Sequence, residues 1–98
     1  MLEKFTAETF EALSGQTFQL RHEDLPDTEA KLVQVRQLSD QNGPSGRAPF
    51  SLLFVCDGKT EPVQGMFRLE HEKIGGLEVF LVPVGQDERG LLLEAVFT

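Results

Sequence analysis

Apolar positions recur at helical spacing only in the first fifteen residues, and mostly with a period of two after that. Phe10 and Leu13 share one helical face, Thr6 is a good N-cap, and Phe5 and Phe10 occupy hydrophobic-staple positions. Glu8 lies in the first turn, where the helix dipole favours an acid, and Gly15 is placed to end the helix in a left-handed conformation. This predicts about two turns of helix, too few to stand alone, so the segment must dock on something. From Gln16 the repeat is strand-like, with Phe18 and Leu20 against Gln19 and Arg21. After a turn at Asp24–Asp27 containing Pro26, Val33 and Val35 fall on one face and Leu32 on the other.

Residues 39–49, SDQNGPSGRAP, have no period and read as a loop. Its length exceeds the usual connection, which fits either a mobile hairpin tip or a contact loop. Residues 50–56, FSLLFVC, form a nearly continuous apolar run, as expected of a strand buried on both faces. A turn at Gly58–Pro62 leads to a strand alternating Phe67 and Leu69 against Arg68 and Glu70. Then comes a glycine turn in which Gly75-Gly76 can supply positive φ. Strands joined by short loops without intervening helices imply antiparallel pairing.

The last hairpin decides the architecture. In LEVFLVPVGQDERGLLLEAVF (77–97), two apolar stretches flank the polar turn Gly85–Gly90, and each carries one charge, Glu78 or Glu94. A strand with one wet face should alternate, and these do not. If Val84 pairs with Leu91, one face shows Val84, Val82, Phe80 and Glu78 beside Leu91, Leu93, Ala95 and Phe97. The outer face is then Pro83, Leu81, Val79 and Leu77 beside Leu92, Glu94, Val96 and Thr98. A slip of one residue would remix these sets but leave both mostly apolar. Leaving about six such side chains wet forgoes roughly 9–18 kcal/mol, which rivals the ~5–15 kcal/mol net stability of a whole domain. The helix, curling of the sheet or a second copy must therefore cover them. The expected fold is mainly β with one short N-terminal helix and about six antiparallel strands in a small curled barrel or sandwich. It forms a single domain over residues 1–98, with a residual apolar patch or strand edge available to a partner.

Charge narrows the partners. Nine basic and sixteen acidic residues give −7, and the first thirty residues hold seven acids against two bases. Nucleic-acid phosphates and anionic lipid would be repelled, so neither nucleic acid nor membrane is expected. All eight aromatics are Phe, and they lie mostly in apolar strand patterns, which reads as core. No apolar run approaches the ~18 residues of a membrane-spanning helix. Met1–Phe5 lacks the basic start and apolar run of a secretory signal, so the expected location is cytoplasmic, with a secreted particle component as the alternative.

Candidate chemistry is sparse. Cys56, the one cysteine, lies in an apolar strand run and reads as a small buried hydrophobe. It can serve as a nucleophile only if its strand adjoins that of His71. A metal would need His22 and His71 on neighbouring strands, because the tripeptide Glu70-His71-Glu72 points its side chains to opposite faces. Gly43, Gly46 and Gly58 lack the strand–loop–helix context and the lysine of a phosphate loop. No catalytic residue, metal or cofactor is expected.

MLEKFTAETFEALSGQTFQL, APFSLLF, QGMFRLEHEKIGGLEVFLVPVG and the terminal EAVF resemble, together, a family of short bacterial proteins known only as a domain of unknown function. The resemblance covers nearly the whole chain outside residues 23–30 and 39–47. Members are often encoded near tail-collar or tail-fibre-like proteins, which implies an accessory role in a particle or adhesion-like assembly and a tail-collar-like partner. The resemblance carries over no catalytic residue. Its matching positions Phe50, Ser51, Leu52, Gly65, His71, Gly75, Pro83 and Gly85 read as turns and core, with His71 bonding a loop carbonyl to fix the HEKIGG turn. The expected function is a non-enzymatic protein-interaction or structural module that packs an apolar patch or a strand edge on a protein partner or a second copy of itself. The expected contact residues are Asn42, Gly43 and Arg47 in the long loop, and Leu77, Val79, Leu81, Leu92 and Val96 on the outer face of the last hairpin. The alternative is a small-molecule-binding barrel or enzyme with a pocket near Cys56 and His71.

Overall fold

The computed structural model describes residues 5–44, 46–57 and 62–98. Most of the N-terminal stretch read for a signal, and most of the turn expected at Gly58–Pro62, lie outside them. A helix, α1 (Ala7–Glu11), precedes six strands: β1 (Thr17–His22), β2 (Leu25–Gln37), β3 (Phe50–Cys56), β4 (Gly65–His71), β5 (Gly75–Asp87) and β6 (Gly90–Phe97). All strand pairings are antiparallel, and the sheet closes in the order β1-β2-β3-β6-β5-β4, with β4 returning to β1. The fold is thus the expected β-rich one, and of barrel and sandwich it is the barrel. Closure pairs every strand on both sides, so the expected free edge is not there among the described residues.

Alternate side chains fill the interior, with Phe18, Leu20, Leu52, Phe54, Leu69 and Leu93 all at or near zero exposure. The helix is shorter than expected because the chain leaves it to join the sheet. Gly15, at φ +83°, donates its N–H to Leu32 O at 2.8 Å, and Leu32 N–H donates to Gln16 O at 3.0 Å. What remains of α1 presents Phe10, fully buried with ring centroids 5.9 Å from Phe5, 5.9 Å from Phe50 and 5.6 Å from Phe97. The staple pair is therefore in contact, and the helix plugs the sheet beside the stacked Phe50 and Phe97 rings.

Two irregularities changed which side chains face inward. In β2 the pairing with β3 shifts between Leu32 and Gln34, so a bulge at Val33 resets the alternation. Leu32 is buried, Val35 packs against the core, and Val33 does not share Val35's face as its spacing suggested. Pro26 does not break the chain into a turn either. It lies inside β2, whose first residue, Leu25, pairs with His22 across a two-residue turn.

In the last hairpin both strands run further than expected, to a two-residue turn between Asp87 and Gly90, which pair with each other. Arg89 donates its N–H to Asp87 Oδ1 at 2.8 Å and its guanidinium to Oδ2, closing the tip. The tighter turn moves the register by two residues, and a bulge between Pro83 and Gly85 returns one of them. Val82 consequently faces Glu94, and Pro83 faces Leu93. The net slip of one turns β5 over. Leu77, Val79 and Leu81, expected on the outer face, are 5%, 4% and 0% exposed inside the barrel. Phe80 and Val82 point outward instead, while Leu92 and Val96 stay on the outside as expected.

Candidate functional site

The outside of the barrel has two unlike sides. On β1 and β2 the outward positions include Gln19, Arg21, Lys31, Gln34 and Arg36. On β3, β5 and β6 they are mostly apolar: Leu53, Val55, Phe80, Val82, Leu92 and Val96. Register lines these up around the barrel. Arg36 pairs with Ser51, Ser51 with Val96, and Met66 with Phe80. Met66, Phe80 and Val96 share an open depression of ≈ 280 Å³ with Arg47, Glu78 and Thr98. Met66, Phe80, Val84 and Val96 are 54%, 48%, 51% and 54% exposed. The second face that the sequence required to be covered is thus only half covered within one chain.

Charges frame this face. Glu78 lies on β5 and Lys31 and Arg36 on the β2 flank, while Glu94 on β6 interrupts the face between Leu53 and Val82. None of the four makes an ion pair among the described residues. The polar side is wired differently. Arg68 Nε reaches Glu70 Oε2 at 2.9 Å, Arg21 Nε reaches Glu70 Oε1 at 2.7 Å, and Arg21 also meets Asp27 at 2.7 Å. Hydrogen bonds from Arg68 and then Arg21 hold the Glu70 carboxyl below its usual range. The cluster is solvated, so it adds little stability.

The long loop is a strap folded onto the barrel. Gly43 N–H donates to Arg47 O at 2.7 Å, and Arg47 donates to Phe5 O at 3.2 Å. The Arg47 guanidinium sits 5.8 and 5.5 Å from the Phe50 and Phe97 ring centres. Of the expected loop contacts, Arg47 therefore borders the apolar face while also holding the N-terminal segment. Gly43 shapes the turn, and Asn42 is exposed beside a separate groove formed with α1.

The other chemistry-bearing residues are dispersed. Cys56 and His71 are on β3 and β4, which do not pair with each other, and both His71 ring nitrogens have other partners, Gln16 and the Lys73 N–H, so the two do not form a nucleophile–base pair. Burial pushes the Cys56 thiol up to about 11. At pH 8 the native thiol should then resist a thiolate-selective disulfide reagent, reacting at least ~100-fold faster once the protein is unfolded in guanidinium. Equal rates in the two states would mean that Cys56 is accessible. β1 and β4 do pair, but His22 packs against Phe67 with ring centres 4.8 Å apart, and His71 lies four residues further along β4, roughly 13 Å at ~3.3 Å per residue. No group of three metal-ligating side chains forms among the described residues.

Both histidines serve local structure. His71 Nδ1 accepts the Lys73 N–H at 3.1 Å, so Nε2 carries the proton and donates to Gln16 Oε1 at 2.8 Å, with the ring 4.9 Å from Phe18. His71 thus fixes the HEKIGG turn as expected, but it takes a backbone amide rather than a carbonyl. Gly75, at φ +74°, supplies the left-handed turn residue. His22 Nδ1 likewise accepts the Asp24 N–H at 3.0 Å.

Sequence reasoning missed Met66 and Phe80. The signal that could have found them is Asp87 followed by Gly90, read as a two-residue tip, together with Pro83 marking a bulge. No helix among the described residues is long and apolar enough to cross a membrane. No curated protein and no solved structure matches the chain. A family model does match, over residues 5–97, nearly all of the barrel and its helix, and the chain belongs to that family, a domain of unknown function (DUF6916).

Proposed function

We propose that this domain is a non-enzymatic interaction or structural accessory module that works by packing the apolar side of its barrel, the outer face of β3, β5 and β6, against another protein chain. One observation carries the reading: Met66 on the adjoining β4, Phe80 on β5 and Val96 on β6 are contiguous and about half exposed. Scattered surface hydrophobes are ordinary, but a contiguous face of this kind marks an interaction site. Edge pairing drops out of the mechanism, because the closed barrel offers no free edge among the described residues. The resemblance read from the sequence favours a phage-tail-like or adhesion-like assembly as the setting, with a tail-collar-like protein as the first partner to seek. The small-molecule or enzyme reading has less support, because side chains fill the interior and Cys56 and His71 are separated.

Affinity capture from the native host, using the wild-type chain and Phe80→Glu in parallel, tests the proposal. A protein recovered with wild type and depleted ~10-fold or more with the variant is the expected result, since a charge in a packed apolar contact costs at least ~1.4 kcal/mol. Identical recoveries from the two baits would remove the apolar face from the function.

A further inference from the structure

We infer that the apolar side of the barrel is self-complementary and that a second copy of this chain docks on it, related by a two-fold axis running along the strands between β3 and β6. This rests on the interaction role proposed above and names its partner. The first support is size. Half-exposed side chains such as Phe80 leave on the order of 100 Å² each in water. With its half-buried neighbours the face offers roughly 400–500 Å², at the upper part of the range for a monomer's largest patch. A stable interface takes about 800 Å² from each partner, of which ~56–65% is apolar. The face therefore matches the apolar centre of one half of a standard dimer.

The second support is charge. Arg36 stands on the β2 flank and Glu78 on β5, neither with an ion partner among the described residues, while Glu94 lies on β6 inside the face, between Leu53 and Val82. A partner of a single sign would satisfy one flank and repel the other. A second copy turned over about the stated axis sets β2 of each over β5 of the other, which brings the basic flank to the acidic one twice. Register agrees with this placement: Arg36 is level with Ser51 and Val96, the band that continues to Phe80, and Glu78 is the next outward position on β5. Charges away from the face are screened beyond about 8 Å at physiological salt, and Glu94, beside the axis on each copy, is the like-charge contact that the dimer has to accommodate.

Sedimentation equilibrium on the full chain up to about 0.5 mM, a range that detects a Kd near 1 mM or tighter, tests this. The expected result is a monomer–dimer equilibrium that Phe80→Glu weakens at least ~10-fold with unchanged circular dichroism. Met66→Glu substitutes should Phe80→Glu fail to fold. Arg36→Glu and Glu78→Arg should each weaken the dimer, and their combination should recover it to within about threefold of wild type. A strict monomer, a dimer indifferent to Phe80→Glu and Met66→Glu, or a double variant no better than the singles would each overturn the inference. The interaction role fails on a different result, capture from the host unaffected by Phe80→Glu, so the two failures are told apart.

Discussion

Replacing Phe10 with alanine is expected to cost roughly 3–5 kcal/mol, whereas the same replacement at Phe80 costs less than about 1 kcal/mol in dilute solution. The two side chains are identical, so only their surroundings can separate them. Phe10 is fully buried and touches Phe5, Phe50 and Phe97, rings contributed by the N-terminal segment, β3 and β6. Removing it leaves a ring-sized cavity among side chains held by strand register, which cannot collapse to fill it. Phe80 is 48% exposed and can be trimmed without leaving a void. For a chain of this size each kcal/mol shifts the melting temperature by about 4–8 °C, so Phe10→Ala should lower it by at least ~12 °C. Thermal melts followed by circular dichroism at two low micromolar concentrations, whose agreement excludes a contribution from self-association, compare the two. Equal losses would mean that α1 is not the plug the structure makes it.

The comparison also marks how far local sequence reached. The helix, the strands and their antiparallel pairing follow from period and turn chemistry, because each rests on neighbouring residues, whereas closure of the barrel does not. Phe5, Thr6 and Phe10 are placed as their spacing implies, while Gly15 takes the expected left-handed conformation but after a turn that follows the helix end at Glu11. The facing of β2 and β5 did not follow either. A bulge inverts every later side chain of its strand without altering composition or alternation nearby. The bulge at Val33 and the one after Pro83 are both small local events with that consequence. β5 carried one internal cue, Glu78 on the face of Phe80 and Val82, but Leu77, Val79 and Leu81 are otherwise no more apolar than Phe80, Val82 and Val84. A strand with one polar face would have revealed its orientation. The same ambiguity is the physical content of the candidate site: β5 and β6 are apolar on both sides because one side fills the barrel and the other remains to be covered. The dispersal of Cys56, His22 and His71 was likewise open until strand order was known, since adjacency of β3 and β4 is a question of topology.

Adjacent substitutions in β5 turn that ambiguity into a measurement. Leu81→Asp should abolish folding, and Phe80→Asp should leave a folded domain. Leu81 is fully buried, opposite Gly65 inside the barrel. Its replacement loses about 1.5–3 kcal/mol of apolar burial and places a carboxylate among leucines and phenylalanines, at a further several kcal/mol for an unpaired buried ion. The total approaches or exceeds the ~5–15 kcal/mol that holds a domain together. Protonation would relieve part of it. The buried carboxyl would have its folded pKa raised, so any residual stability would be greatest below the ordinary carboxylate range and lost as pH rises through the raised value. At position 80 the carboxylate stays in water, and the exposed apolar area shrinks. The two variants differ by one residue and carry the same chemical change, so neither propensity nor net charge can explain a difference between them. Far-ultraviolet circular dichroism and amide dispersion in a proton–nitrogen spectrum distinguish folded from unfolded directly. In the register that pairs Val84 with Leu91 the outcomes would be exchanged, with Phe80→Asp unfolded and Leu81→Asp tolerated. That result would return Leu77, Val79 and Leu81 to the outer face and remove Phe80 from it.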